Sequence, residues 1–186
     1  MRRFDELVVL ISKYFLEHNV PFVVIGGVAI LFQGRFRTTE DIDFIILQDK
    51  LDIDSFINYC QHHSLNVRKF DLTEGFKEKF YITILDLSNL IRIDLKGAYS
   101  GWDLGAIKEA EAFDYENTSI KVARPEYLIT NKLKKGGQID LEDAYSVFFK
   151  NEERLDRKLL KELAILINVE KELVEFLETA LKLKKS

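Results

Sequence analysis

The sequence predicts an α+β fold, a mixed β-sheet flanked by helices and followed by a helical C-terminal section. Three patterns carry this reading. Short apolar, β-branched runs bounded by Gly, Pro, Asp and Asn recur between Phe22 and Val122. Apolar residues at three- and four-residue spacing open the chain and return after Pro125. No repeat or low-complexity linker interrupts either part.

Taken in order, Phe4, Leu7, Val8, Ile11, Tyr14 and Phe15 lie on one stripe of a helix over Phe4–Glu17. Pro21 precedes a buried strand, Phe22–Ile25, which Gly26-Gly27 breaks. A short helix, Val28–Gln33, follows and stops at Gly34; Arg35–Glu40 is a polar turn. Asp41–Leu47 reads as the second strand and Phe56–His63 as a helix. Strands are expected over Leu65–Phe70, Lys79–Leu87 and Leu90–Leu95, the last two joined by a hairpin turn at Asp86–Asn89. Gly97–Gly105 reads as loop and Ile107–Ala112 as a helix, before a hairpin around Glu116-Asn117. Pro125 suits a first helical position and Gly136-Gly137 a stop. Asp140–Phe149, with Asp140 as N-cap, Leu155–Asn168 and Lys171–Leu183 complete the helices. The domain boundary therefore falls near Ala123: a domain of residues 1–123, and a helical section of residues 124–186 packed on it.

The chain has 186 residues, of which 47% are hydrophobic, enough for a sizeable core. No apolar run is long enough to cross a bilayer, and the N-terminus lacks the pattern of a secretory signal. Cys60 is the sole cysteine, which excludes an internal disulfide and a cysteine-built zinc site. A cytoplasmic location without membrane partners is the expectation. The formal net charge of −4 argues against a general electrostatic grip on nucleic acid. Basic groups do cluster at Lys132, Lys134 and Lys135 and at Lys182, Lys184 and Lys185, where solvated helix ends are the simplest explanation.

The chemistry concentrates in two segments. In a strand, residues i and i+2 share a face, so Asp41 and Asp43 project together while Ile42 and Phe44 turn to the core. Paired carboxylates repel unless a cation offsets them, and Mg²⁺ or Mn²⁺ prefers such oxygen donors. Asp94, on a separate strand, shares a polar face with Arg92 and Lys96 and is the candidate third ligand. Gly26-Gly27, between a buried strand and a helix, would let backbone amides approach a phosphate at a helix N-terminus. Two metals on three carboxylates suit an in-line phosphoryl or nucleotidyl transfer.

Gly26-Gly27, the interval to Asp41-x-Asp43 and the later Asp94 resemble the signature of the nucleotidyltransferase superfamily that includes DNA polymerase β. The finer string Gly26-Gly27-Val28-Ala29, Gly34, Arg37, Thr39, Asp41 and Asp43 is similar to small bacterial and archaeal members of the AbiEii type. The stretch from Val122 through Lys132-Leu133 to Asp140 and Asp143 resembles their C-terminal region. The resemblance spans roughly Phe22 to Phe148. It implies a nucleotidyltransferase-type sheet and Asp41, Asp43 and Asp94 as metal-binding catalytic acids. It further implies an NTP substrate held by Gly26, Gly27, Arg37, Thr39 and Lys132. The chain departs from its relatives at Gly136-Gly137-Gln138-Ile139, where they often carry basic residues, and it is shorter than the abortive-infection toxins.

The functional expectation is an Mg-dependent transferase moving an NMP from an NTP to a hydroxyl of RNA, protein or a small molecule, releasing pyrophosphate. By resemblance, a toxin–antitoxin setting is plausible. The alternative is a catalytically silent nucleotide- or partner-binding module of the same fold, against which the retention of Asp94 speaks. For Asp41 and Asp43 the competing explanation is an edge strand kept soluble by charge. Thr39 either orients Asp41 or merely solvates the turn. Arg37 has the planar fork that matches phosphate, whereas Lys132 could be surface charge. Tyr99 and Trp102 could stack on a base or plug the sheet. His62 and His63 diverge on a helix and make a poor metal pair. The stripes of Leu155–Leu183 would pack on the catalytic domain or form a homodimer contact.

Overall fold

A computed structural model describes Arg3–Lys184; Met1, Arg2, Lys185 and Ser186, and with them one lysine of the C-terminal cluster, lie outside the described residues. The chain divides into two compact units. The first comprises Met1–Val28 and Thr38–Ala123, the second Ala29–Arg37 and Arg124–Ser186.

The first unit is built on one seven-stranded sheet. Its strands are β1 (Phe22–Ile25), β2 (Asp41–Ile46), β3 (Leu65–Asn66), β4 (Ile82–Asp86), β5 (Arg92–Gly97), β6 (Glu111–Tyr115) and β7 (Thr118–Val122). The spatial order is β3-β4-β5-β2-β1-β7-β6. β2 lies antiparallel to β1 and parallel to β5, so the sheet is mixed. The central strands carry near-continuous Val, Ile and Phe because helices cover them. Helix α1 (Phe4–Glu17) buries Leu7, Val8, Ile11, Tyr14 and Phe15. The Phe15 ring meets Phe22 at 5.4 Å, Phe44 at 5.7 Å and Phe56 at 5.7 Å, which fixes α1 over β1 and β2. Phe56 belongs to α3 (Ile53–His62), whose N-cap Asp52 accepts from the Ser55 N–H at 3.1 Å.

Local chemistry shifts some elements from their expected places. Helix α2 (Gly26–Gln33) begins at the first glycine, two residues earlier than the apolar pattern suggests. The expected strand Leu65–Phe70 is cut to two residues, and α4 (Lys69–Lys77) follows. A two-pronged Arg68–Asp71 pair ties its first turn, and Gly75 lets it close on Ile82. Helix α5 (Gly101–Lys108) starts earlier than Ile107 because Ser100 and Asp103 form a reciprocal cap. The β6–β7 hairpin turns through Glu116 and Asn117, both at positive φ, as a two-residue loop requires.

The second unit holds the end of α2 and four helices: α6 (Pro125–Lys135), α7 (Gln138–Asn151), α8 (Arg157–Leu166) and α9 (Glu170–Leu183). Pro125 opens α6, and Gly136 closes it in the left-handed conformation (φ +69°). Asp140 sits inside the first turn of α7 instead of capping it, because Gly137 takes that position. Phe176 of α9 meets Tyr145 and Phe148 of α7 at 4.5 and 5.5 Å. Among the described residues, no helix is long and apolar enough to cross a membrane.

Candidate active site

Strand β2 alternates as the sequence requires: Asp41 and Asp43 are partly exposed, Ile42 and Phe44 buried. Its parallel neighbour β5 sets Asp94 directly beside Asp43 and Arg92 beside Asp41. One carboxylate oxygen from each of Asp41, Asp43 and Asp94 lies within 4.8 Å of the other two. This is a clustered set of oxygen-only donors, the chemistry that Mg²⁺ or Mn²⁺ favours.

Gly26 stands against this cluster. Its φ is +65°, and a Cβ placed on it would lie 1.7 Å from Asp43 Oδ2. Glycine is thus demanded twice, by backbone conformation and by the carboxylate. Asp43 is held beside the first turn of α2, where Gly26 and Gly27 begin the helix. Backbone amides of a first helical turn lack partners within the helix, and its dipole favours negative charge.

Asp94 is the most buried of the three acids, at 9% exposure. The Thr83 hydroxyl donates to its Oδ1 at 2.7 Å and Arg92 Nη2 donates to its Oδ2 at 2.8 Å. Arg92 also lies 3.6 Å from Asp41. The bond to Asp94, and then the neighbouring charges of Asp41 and Asp43, raise the Arg92 guanidinium above its usual value. Thr39 donates to Asp41 Oδ1 at 3.3 Å, a long bond that orients this acid along the strand. Tyr81 is about half exposed, yet desolvation by the surrounding protein, followed by the charges of Asp43, Asp103 and Asp94, pushes its phenol up to about 12. A cavity of about 390 Å³ opens beside Asp41 and Arg92, bounded by Glu40, Asn89, Leu90 and Ile91.

Arg37 and Lys132 belong to the second unit, where they converge on one carboxylate. Asp143 is fully buried; Arg37 Nε lies 3.1 Å from its Oδ2, Lys132 Nζ 2.9 Å from the same oxygen, and Arg35 Nε 3.0 Å from Oδ1. Lys132 also meets Asp140 at 2.8 Å and is itself buried, so it is an internal cation and not a surface charge. Trp102 is buried, and the Tyr99 ring packs against Gly97.

Of the residues singled out in the sequence, the first unit thus assembles Asp41, Asp43, Asp94, Gly26 and Thr39, with Gly27 next to Gly26 in the opening turn of α2. Sequence reasoning passed over Thr83 and Tyr81, and it met Asp143 only within the C-terminal resemblance. Thr83 was reachable from the β4–β5 hairpin: the Asp86 N–H donates to the Ile91 carbonyl at 2.9 Å, and counting back from that pair sets Thr83 opposite Asp94. Asp143 carries no local signal, since its partners lie up to 108 residues away.

No protein-family model matches the chain, and no curated protein does. Solved structures do. ANT(2")-Ia in complex with adenylyl-2"-tobramycin superposes at TM-score 0.58 and 16% identity, over 87% of this chain and 95% of that one. An antigenic nucleotidyltransferase-like protein from Paracoccidioides brasiliensis superposes at TM-score 0.52 and 16% identity, over 92% of this chain and 90% of that one. At such identities the likeness establishes the fold: this chain has the nucleotidyltransferase architecture.

Proposed function

We propose that the protein is a metal-dependent nucleotidyltransferase that moves an NMP from an NTP to an acceptor hydroxyl. The observation that carries this reading is the convergence of Asp41, Asp43 and Asp94 on adjacent strands, with Gly26 pressed against Asp43. A shared fold does not assign chemistry; the acidic cluster and the glycine turn supply that argument. Asp41, Asp43 and Asp94 would hold Mg²⁺ or Mn²⁺, which supplies neutralisation of the triphosphate and of the attacking oxygen.

The chain's own groups then have separable roles. The backbone at Gly26 and Gly27 receives phosphate oxygens at the N-terminal pole of α2. Asp94, fixed by Thr83 and Arg92, takes the proton of the acceptor hydroxyl. The acceptor oxygen bonds to the α-phosphorus as the bond to the pyrophosphate oxygen breaks, and pyrophosphate leaves with the electron pair. Thr39, bonded to Asp41, completes the site of the first unit in this proposal. The resemblance to AbiEii-type proteins supports a toxin–antitoxin setting, and the helical section of residues 124–186 would serve as the second domain of such an enzyme.

A second reading, a silent nucleotide-binding module, draws on one feature: both oxygens of Asp94 already have protein donors. Asp94→Asn separates the two. The transferase reading expects NTP binding to persist while pyrophosphate release falls by several hundredfold. Binding by the wild-type protein with no release, from any acceptor or from water, would favour the module.

A further inference from the structure

At the start of β1, the end remote from the glycine turn, the first unit leaves a groove where two of its helices stop. Helix α1 closes in a Schellman motif: the Asn19 and Val20 N–H groups donate to the Leu16 and Phe15 carbonyls at 3.2 and 2.8 Å, with Asn19 at φ +53°. Pro21 then leads directly into β1 at Phe22. Helix α5 ends at Lys108, and the small Ala110 carries the chain on to β6. Between these turns lies an open groove of about 390 Å³, which Lys121 of β7 also lines.

Its floor is apolar and its rim cationic. Phe15 and Phe22 form part of the floor at 0 and 3% exposure, so neither offers an open ring face. Lys108 is exposed and Lys121 partly buried, and no carboxylate lines the groove. Among the described residues, neither ammonium group has an ion-pair or hydrogen-bond partner. Beside an apolar wall, such charges are screened less than in open water and attract anionic groups more strongly.

We propose that this groove docks an acidic segment of a partner protein, which lays an apolar side chain on the floor and sets carboxylates on Lys108 and Lys121. The combination of charge and burial selects this occupant. Single-stranded nucleic acid needs exposed aromatic faces on which its bases stack, and both rings here are covered. An anionic membrane is held by clusters of roughly four to eight basic residues, and only Lys108 and Lys121 line this groove. Small ligands sit in pockets that enclose most of their surface, whereas this groove is open. A peptide segment crossing it meets both features, since carboxylates on either side of one apolar residue reach both lysines. Phe22 stands four residues before Gly26, roughly 13 Å along the chain at strand rise. A docked segment therefore leaves the acidic cluster open, and the proposal stands apart from the transferase reading.

The test is a titration of the full chain with three short capped peptides, followed through backbone amide shifts by NMR. One peptide carries phenylalanine flanked by glutamates, one phenylalanine flanked by lysines, and one alanine flanked by glutamates. A short single-stranded RNA and vesicles of phosphatidylcholine and phosphatidylserine serve as competing probes. The first peptide should shift amides of residues 15–22 and 107–121 and bind at least about tenfold more tightly than the other two. The double variant Lys108→Glu/Lys121→Glu should lose that preference and bind the lysine-flanked peptide instead. Its amide spectrum away from the groove should match the wild type, which shows that it folds. Equal affinity for the glutamate- and lysine-flanked peptides, no binding of any peptide, or an unchanged preference in the variant would overturn the proposal. Tighter binding of the RNA or the vesicles through the same amides would also overturn it. So would shifts of these amides on concentrating the protein alone, which would make a second copy the occupant.

Discussion

Gly26→Ala perturbs the point at which fold and proposed chemistry meet. The backbone at φ +65° admits alanine at a cost of about 1–2 kcal/mol. The added methyl would also fall 1.7 Å from Asp43 Oδ2, so the carboxylate must rotate away. Forcing a side chain off its preferred rotamer costs roughly 0.5–1.5 kcal/mol. Together these destabilise the protein by about 1.5–3.5 kcal/mol, a fall in Tm of roughly 3–14 °C for a chain of this size. With Asp43 displaced, Mn²⁺ affinity should drop at least about tenfold. The decisive comparison is the double mutant. In an Asp43→Ala background the carboxylate is gone, and Gly26→Ala should cost only the backbone term, about 1–2 kcal/mol. Urea unfolding of the four proteins reads this coupling, and calorimetry with Mn²⁺ reads the metal. An equal cost of Gly26→Ala with and without Asp43 would refute the claim that the two groups are in contact.

Other consequences follow from the same geometry. Thr83→Val keeps the shape of the side chain but removes the donor to Asp94; turnover should fall roughly ten- to hundredfold with NTP affinity within about twofold, as steady-state kinetics and calorimetry would show. Asp143→Ala leaves the buried Lys132 with Asp140 alone and should destabilise the protein by about 3–5 kcal/mol, whereas a denaturation midpoint equal to wild type would contradict a paired, buried cluster. Burial pushes the Cys60 thiol up to about 12 from an ordinary 9. A raised folded value means a stability contribution that is full below pH 9 and lost between pH 9 and about 12, so Cys60→Ser should flatten the alkaline limb of a stability–pH curve. The same burial should leave the native thiol unreactive toward a disulfide reagent at pH 8, with reaction only on unfolding.

What could be read in the sequence was what depends on local period and spacing. Phe22–Ile25 is a strand because four apolar residues stand between Pro21 and a glycine pair, and that pair marks its end without ambiguity. Asp41 and Asp43 share a face through strand periodicity alone. Helix α4 was hidden because Leu65–Phe70 carries no helical stripe; it forms through an Arg68–Asp71 fork and the close approach of Gly75 to Ile82 on the next strand. Lys132 was readable as a nucleotide-binding candidate only by likeness, and Arg37 by likeness and by a fork that matches phosphate. Their common partner Asp143 looked like the exposed first turn of a helix, since nothing local shows that it is buried among three cations. Thr83 lay one step further off, dependent on hairpin register as well as on strand identity.

The central claim, that Asp41, Asp43 and Asp94 form a metal-dependent nucleotide site, is tested most directly by calorimetry of Mg²⁺-dependent binding with each of the four NTPs. Wild-type protein and the Asp41→Ala/Asp43→Ala double mutant would be compared. The account predicts binding by the wild type that requires Mg²⁺, discriminates among the bases and disappears in a folded double mutant. Equal binding by both proteins, or none by a well-folded wild type, would contradict it.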